Sequence, residues 1–224
     1  MRPLTDSLPK PLLKVAGRPL IEHHLLSLKA AGFTEFVINV AHMADSMIGF
    51  LGDGSTWGVT IHISREPEPL EVAGGIVRAL PFLGSSPFLL VNGDVFTDFP
   101  FALLRAIKVP NQGAHLILVP NPPHNSEGDF MLTDSKVIGI DTEVTQLKGP
   151  HLGSSLTYAG VGLFDVELFC GLANGKRQLK PILERAIRNQ ALTGEIYEGL
   201  WVDVGTPDRL SNLNARFPNW RVNY

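Results

Sequence analysis

The stretch Pro87-Phe-Leu-Leu-Val-Asn-Gly-Asp94 constrains this chain more than any other. Phe88 to Val91 is an unbroken apolar run, and a strand without alternation is one covered on both faces, as in a parallel sheet flanked by helices. Gly93 permits a sharp turn where the strand ends. Asp94 then falls at the carboxyl end of a strand, in the crevice where open α/β sheets bind ligands. A plain cap on the following segment accounts for the same carboxylate equally well.

The remainder of the chain alternates strands with helices. Prolines at 3, 9 and 11 make the first residues an extended loop, and they stiffen the backbone around Lys10. A stiff mount suits a cation that must meet a phosphate, although a solvated lysine reads the same way. Pro19 starts a helix whose apolar residues run from Leu20 to Leu28 and which Gly32 ends. His23 and His24 are expected at its surface and edge, with no chemistry assigned. Phe36–Val40 and Val59–Ser64 read as strands, with a helix over 44–51 between them. Residues 65–75 read as an irregular loop entering a helix over 76–80. The glycines of Ala73-Gly74-Gly75 allow a ligand close to main-chain amides, while a plain loop remains the other reading. No Gly-Lys-Ser/Thr follows, so this is not a phosphate loop of the Walker type.

Further on, 114–119 is a strand, 128–133 and 137–140 form a hairpin, and the polar stretch 143–155 reads as a lid. Leu156–Phe164 is a strand broken by Gly160 and Gly162, and 180–190 is an amphipathic helix. Trp201–Gly205 is a short strand with an inward carboxylate, Asp203. Thr206 caps the terminal helix and Pro207 opens it. These alternations specify an α/β fold with a mixed sheet.

Composition removes several functions. Lysine and arginine number 19 against 22 acids, a formal charge of −3. That leaves no basic excess for a nucleic-acid or anionic-membrane surface. No apolar run approaches membrane-spanning length and no leader opens the chain. The single cysteine, Cys170, permits no internal disulfide and reads as a buried thiol in a helical context. A reducing, cytoplasmic compartment is the expectation.

Taken in order, several segments resemble the sugar-1-phosphate nucleotidyltransferase family. They are Arg2–Thr5, Pro9-Lys10-Pro-Leu12, Ala16–Ile21, Pro69-Leu-Glu-Val-Ala-Gly-Gly-Ile76, Val91-Asn-Gly-Asp94, Tyr158-Ala-Gly160 and Trp201–Thr206. Within that family the chain looks most like the N-acetylmuramate-1-phosphate uridylyltransferases. The resemblance implies one nucleotidyltransferase domain over 1–224, with a Rossmann-like (GT-A-like), mainly parallel mixed sheet flanked by helices. It also implies nucleotidyl transfer from a nucleoside triphosphate, UTP, to a sugar 1-phosphate in cell-wall recycling, by a cytoplasmic monomer or weak oligomer.

By the same resemblance, Asp94 and Asp203 hold one Mg²⁺ and Lys10 contacts the phosphates. Gly74, Gly75 and Asn92 face the nucleotide, and Gly128, Asp129 and Gly160 face the sugar. Glu143 and Lys148 stand nearest to the Glu-Lys pair with which many relatives grip the sugar phosphate. One departure stands out. Family members carry a first β-strand and a Gly-x-Gly-x-Arg loop directly before the segment that begins here, and neither precedes Met1. The expectation is a domain lacking its first strand through a late-assigned start, the alternative being a non-catalytic nucleotide-sugar-binding remnant. Guanylyl or thymidylyl transfer to a hexose 1-phosphate is the sibling reading.

Overall fold

The computed structural model describes residues 1–133, 135–139, 155–218 and 220. The amino-terminal part contains β1 (Lys14–Val15), β2 (Arg18–Pro19), α1 (Leu20–Ala30), β3 (Glu35–Val40), α2 (Ala44–Leu51) and β4 (Thr60–Arg65). Then come α3 (Glu71–Leu83), β5 (Phe88–Val91), β6 (Val95–Thr97) and β7 (Ala114–Val119). They are followed by β8 (Phe130–Thr133), β9 (Lys136–Ile138), β10 (Ser155–Phe164), α4 (Lys180–Arg188) and β11 (Leu192–Ile196). The last elements are β12 (Trp201–Asp203) and α5 (Pro207–Arg216). The mixed α/β architecture is the one expected, but the expected mainly parallel sheet is not. Among the described residues only β3–β4 and β7–β11 pair in parallel, and the other strands are joined by antiparallel returns. The residues gather into two compact units, each built from discontinuous segments.

The first unit comprises Met1–Leu70, Asn92–Ala106 and Gly199–Tyr224. Its β3 and β4 pair in parallel, Phe36 opposite Ile61 and Ile38 opposite Ile63. Leu25, Val40, Met47, Leu51 and Ile61 form one apolar cluster with them. Leu13, Val15, Leu20, Phe96, Val204, Leu210 and Leu213 form another. α1 ends as its glycine requires: Gly32 has φ +88° and donates to the Lys29 carbonyl, while the Phe33 amide returns to Leu28 at 3.0 Å. The two α1 histidines depart from expectation, for both are buried. His23 meets Phe96 edge-on at 5.2 Å, and its Nε2 bonds the Val15 carbonyl at 2.8 Å. The apolar stripe of α1 is therefore wider than its leucines alone indicate.

The second unit comprises Glu71–Val91 and Ile107–Glu198. Its sheet runs β5-β10-β7-β11-β9-β8, and β8 also pairs with the start of β10. The β7–β11 pairing is parallel, and the others in this sheet are antiparallel. The fully buried run Ala114–Val119 is its central strand. Leu116, Leu118, Phe164, Leu183 and Ala186 share a core with Ala73, Ile76 and Val77 of α3.

Three local expectations are corrected here. β5 is a strand, but it runs antiparallel to β10 and its residues are half-buried. Phe88 and Leu90 pack on the core, and by alternation Leu89 and Val91 point the other way. α3 begins at Glu71 rather than Ile76, so Gly74 and Gly75 lie buried within its first turns instead of in an open loop. Cys170 is exposed rather than buried, the segment after β10 being a single helical turn that ends at Leu168, before the cysteine.

β11 is an element that sequence patterning passes over. Within Leu-Thr-Gly-Glu-Ile, Gly194 is there to let two strands approach. A Cβ at that position would lie 2.7 Å from the Leu116 carbonyl oxygen. The expected lid lies mostly outside the described residues, as do Glu143 and Lys148.

Candidate active site

Asp94 and Asp203 are brought together by a short antiparallel ladder. β12 pairs with β6 so that Asp203 lies opposite Val95. One step further on, the Val204 amide donates to the Asp94 carbonyl at 2.8 Å. Leu200 fixes the far end of the ladder, accepting from Thr97 Oγ1 at 2.8 Å and donating to Asp98 Oδ1 at 2.9 Å. Asn92 begins the turn that carries Asp94, which closes with a Val95 amide to Asn92 carbonyl bond of 3.3 Å. Gly93 has an ordinary backbone angle, and a Cβ there would meet Pro11 only at 3.7 Å. The turn thus makes less use of its glycine than the sequence suggests.

Lys10 sits on a short helical turn held by a Leu12 amide to Pro9 carbonyl bond of 2.9 Å. Its Nζ donates to Asp94 Oδ2 at 2.7 Å, with the two side chains 27% and 39% exposed. The proline-flanked lysine and the strand-end carboxylate are therefore partners. Asp203 has a cation of its own, Arg209, whose Nη1 donates to Asp203 Oδ2 at 2.6 Å. Arg209 follows from Thr206, which caps α5 by accepting the Arg209 amide at 3.2 Å. That cap turns residue 209 back toward the strand end.

Beneath this cluster lies His24. Burial pushes its pKa down to about 4, and neighbouring His23 adds to the effect. The Val95 backbone bond and the Asp94 charge act in the opposite sense without reversing it. Burial also lowers the pKa of His23. Motif reading missed both Arg209 and His24. The available signals were a basic residue three places after a helix cap, and a His-His pair inside an apolar stripe.

The remaining site candidates, except Asn92, belong to the second unit. The amides of Ala73 and Gly74 both donate to the Arg177 carbonyl at 3.1 Å, so Gly74 spends its donor within the protein. Glu71, which opens α3, has φ +61° and pairs with Lys176 at 3.6 Å.

Gly128, Asp129 and β10, the strand of Gly160, are joined in one polar network. Asp129 Oδ2 accepts the Tyr158 amide at 2.9 Å and Asn125 Nδ2 at 3.3 Å. Thr157 Oγ1 donates to Asn121 Oδ1 at 2.9 Å and accepts from Asn125 Nδ2 at 3.1 Å. Gly160, with φ +71°, occupies the irregularity where the β10–β7 register shifts. Such bulges re-aim a strand's neighbouring side chains. The Tyr158 hydroxyl is buried, which raises its pKa.

No group of three or more His, Cys, Asp and Glu side chains among the described residues is arranged to hold a metal. Asp94 and Asp203 stand on adjoining backbone segments, and two carboxylates are a donor set that would suit a Mg²⁺ ion taking its other ligands from phosphate oxygens and water. The donor set is all oxygen and partly exposed, as that requires.

The nucleotidyl transferase family profile matches residues 1–219. The N-acetylmuramate alpha-1-phosphate uridylyltransferase of Neisseria meningitidis is 48% identical over 227 residues, 99% of this chain and 94% of that protein. Mannose-1-phosphate guanylyltransferase 1 of Arabidopsis thaliana is 28% identical over 99% of this chain, which spans 62% of that relative's length. Among solved structures, HddC from Yersinia pseudotuberculosis superposes with a TM-score of 0.71 at 18% identity, covering 94% of this chain and 90% of that one.

Proposed function

The chain belongs to the nucleotidyl transferase family, and on that premise we propose that it transfers the uridylyl group of UTP to N-acetylmuramate 1-phosphate. An oxygen of the sugar phosphate attacks the α-phosphorus, the bond to the β-phosphate oxygen breaks, and pyrophosphate leaves. The observation carrying this choice of substrates is the 48% identity to the Neisseria uridylyltransferase over nearly the full length of both chains. Magnesium dependence, a place in cell-wall recycling and a cytoplasmic location belong to the same proposal and rest on the resemblance. So does a monomeric or weakly associated state. Among the described residues, no helix is long and apolar enough to cross a membrane.

Both reactants are anions, so catalysis is mainly alignment and charge neutralisation. Lys10 is the cation assigned to the phosphates, carried on a turn that its flanking prolines stiffen. Asp94 and Asp203 are the carboxylates that would hold Mg²⁺, supported by the ladder bond from Val204 to Asp94. The ion would supply charge neutralisation on the phosphate oxygens. Asn92, one turn before Asp94, is assigned to the nucleotide together with Gly74 and Gly75. The helical setting of those two glycines leaves the amide of Gly74 committed to Arg177. Gly128, Asp129 and Gly160 are assigned to the sugar, with the Asp129 carboxylate shaping the loop against β10.

The test is pyrophosphate release from UTP plus N-acetylmuramate 1-phosphate, beside GTP plus mannose 1-phosphate, each with and without Mg²⁺. The expected result is Mg²⁺-dependent turnover of the first pair, with kcat/KM at least about tenfold above the second. Asp94→Asn should lower kcat by about 10²- to 10³-fold. Preferred turnover of the guanylyl pair would overturn the substrate assignment. An Asp94→Asn variant with undiminished activity would overturn the site.

A further inference from the structure

Each carboxylate assigned to the divalent ion already has a cation against it: Lys10 on Asp94 at 2.7 Å and Arg209 on Asp203 at 2.6 Å. Arg209 is no loose surface partner. Besides its Asp203 contact, its Nε donates to Thr206 Oγ1 at 3.4 Å, the same hydroxyl that caps α5. Gly205 leaves the room it needs. A Cβ at Gly205 would collide with Arg209 Nη2 and lie 2.9 Å from its Cζ, with Asp203 Oδ1 at 3.1 Å. The side chains of Arg209 and Asp203 are 27% and 28% exposed, so solvent screens them less than an open surface pair. The two carboxylates and two cations sum to zero charge, which leaves a bare divalent ion little to be drawn to.

We propose that Arg209 is an internal counter-ion that occupies Asp203 in the nucleotide-free protein and competes there with a free divalent cation. The carboxylate becomes available when phosphate oxygens, which suit a guanidinium fork, take Arg209 over. The ion therefore enters with the triphosphate rather than ahead of it. Gly205 is the positioning element that keeps the competitor in place. This inference rests on the reading of Asp94 and Asp203 as the ion's ligands.

The experiment titrates Mn²⁺ into the nucleotide-free full chain and follows free Mn²⁺ by electron paramagnetic resonance. Arg209→Met should tighten Mn²⁺ binding by at least about fivefold, because a positive charge beside the site is removed. Gly205→Ala, which keeps the charge but displaces the guanidinium, should shift binding the same way and serves if Arg209→Met does not fold. Adding Asp203→Asn to either variant should abolish the gain. Mn²⁺ affinity unchanged or weakened in both Arg209→Met and Gly205→Ala overturns the proposal. If Asp94→Asn and Asp203→Asn leave Mn²⁺ binding untouched even in the Arg209→Met background, the ligand assignment itself falls, a different failure from the first.

Discussion

His23 and His24 illustrate how much a single residue's environment matters near Asp94. His24 has its pKa depressed to about 4 chiefly by burial, from an ordinary value of 6.5. A histidine of this kind binds its proton more weakly folded than unfolded. Between those two values the unfolded chain therefore takes up more protons, and folding stability falls as pH falls. The stability is fully present above about pH 6.5, and at pH 5 this one residue should cost about 2 kcal/mol. Denaturant unfolding of the unmodified chain and His24→Gln, each at pH 7 and pH 5, measures it. The acid-induced loss should be smaller in His24→Gln by about that amount. An equal loss in both would show that His24 does not titrate in this window. Sequence spacing placed His24 on α1 but at its surface or edge, and its burial was not legible there because Val95 arrives from far along the chain.

At the scale of elements, β10 and the loop before β8 show what local pattern carries. The β8–β9 hairpin, the strand character of β10 and the α5 cap were legible because each depends on residues close in sequence. The network tying Asn121, Asn125 and Asp129 to Thr157 and Tyr158 was not, since it depends on β10 lying alongside. Gly128 is the test of that arrangement. It has φ +70°, and an added Cβ would lie 2.7 Å from Asn121 Oδ1 and 2.9 Å from the Leu156 amide. Gly128→Ala should therefore destabilise the protein by about 2 kcal/mol, through backbone strain and disruption of the network. Urea denaturation checks this against Glu127→Ala, an exposed neighbour that should stay within about 0.5 kcal/mol of the unmodified chain. A Gly128→Ala midpoint matching that of Glu127→Ala would mean the loop accommodates a side chain.

For the whole molecule, the decisive feature is how the chain threads its two units. The β6–β12 ladder of the first unit brackets the entire Ile107–Glu198 segment of the second. With that segment unfolded, the ladder must close a loop of roughly 90 residues, at an entropic cost of about 4 kcal/mol. Loosening the second unit should thus weaken the first. Leu183→Ala, in the second unit's core, removes a side chain that is 2% exposed and should cost about 2–5 kcal/mol. Trp57, Trp201 and Trp220 all belong to the first unit, so tryptophan fluorescence reports on that unit alone. The fluorescence transition should move to lower denaturant along with the far-ultraviolet circular dichroism. A fluorescence midpoint that stays put would show independent units. The sequence by itself determined most of the strands and helices, the cap of α5 and the family, because periodicity and motif order act over short spans or survive as ordered signatures. β11 and the start of α3 escaped it. Tertiary structure alone decided which cation meets which carboxylate, which histidine loses its charge and which glycine is indispensable. Those outcomes depend on distances between residues that only the folded backbone brings together.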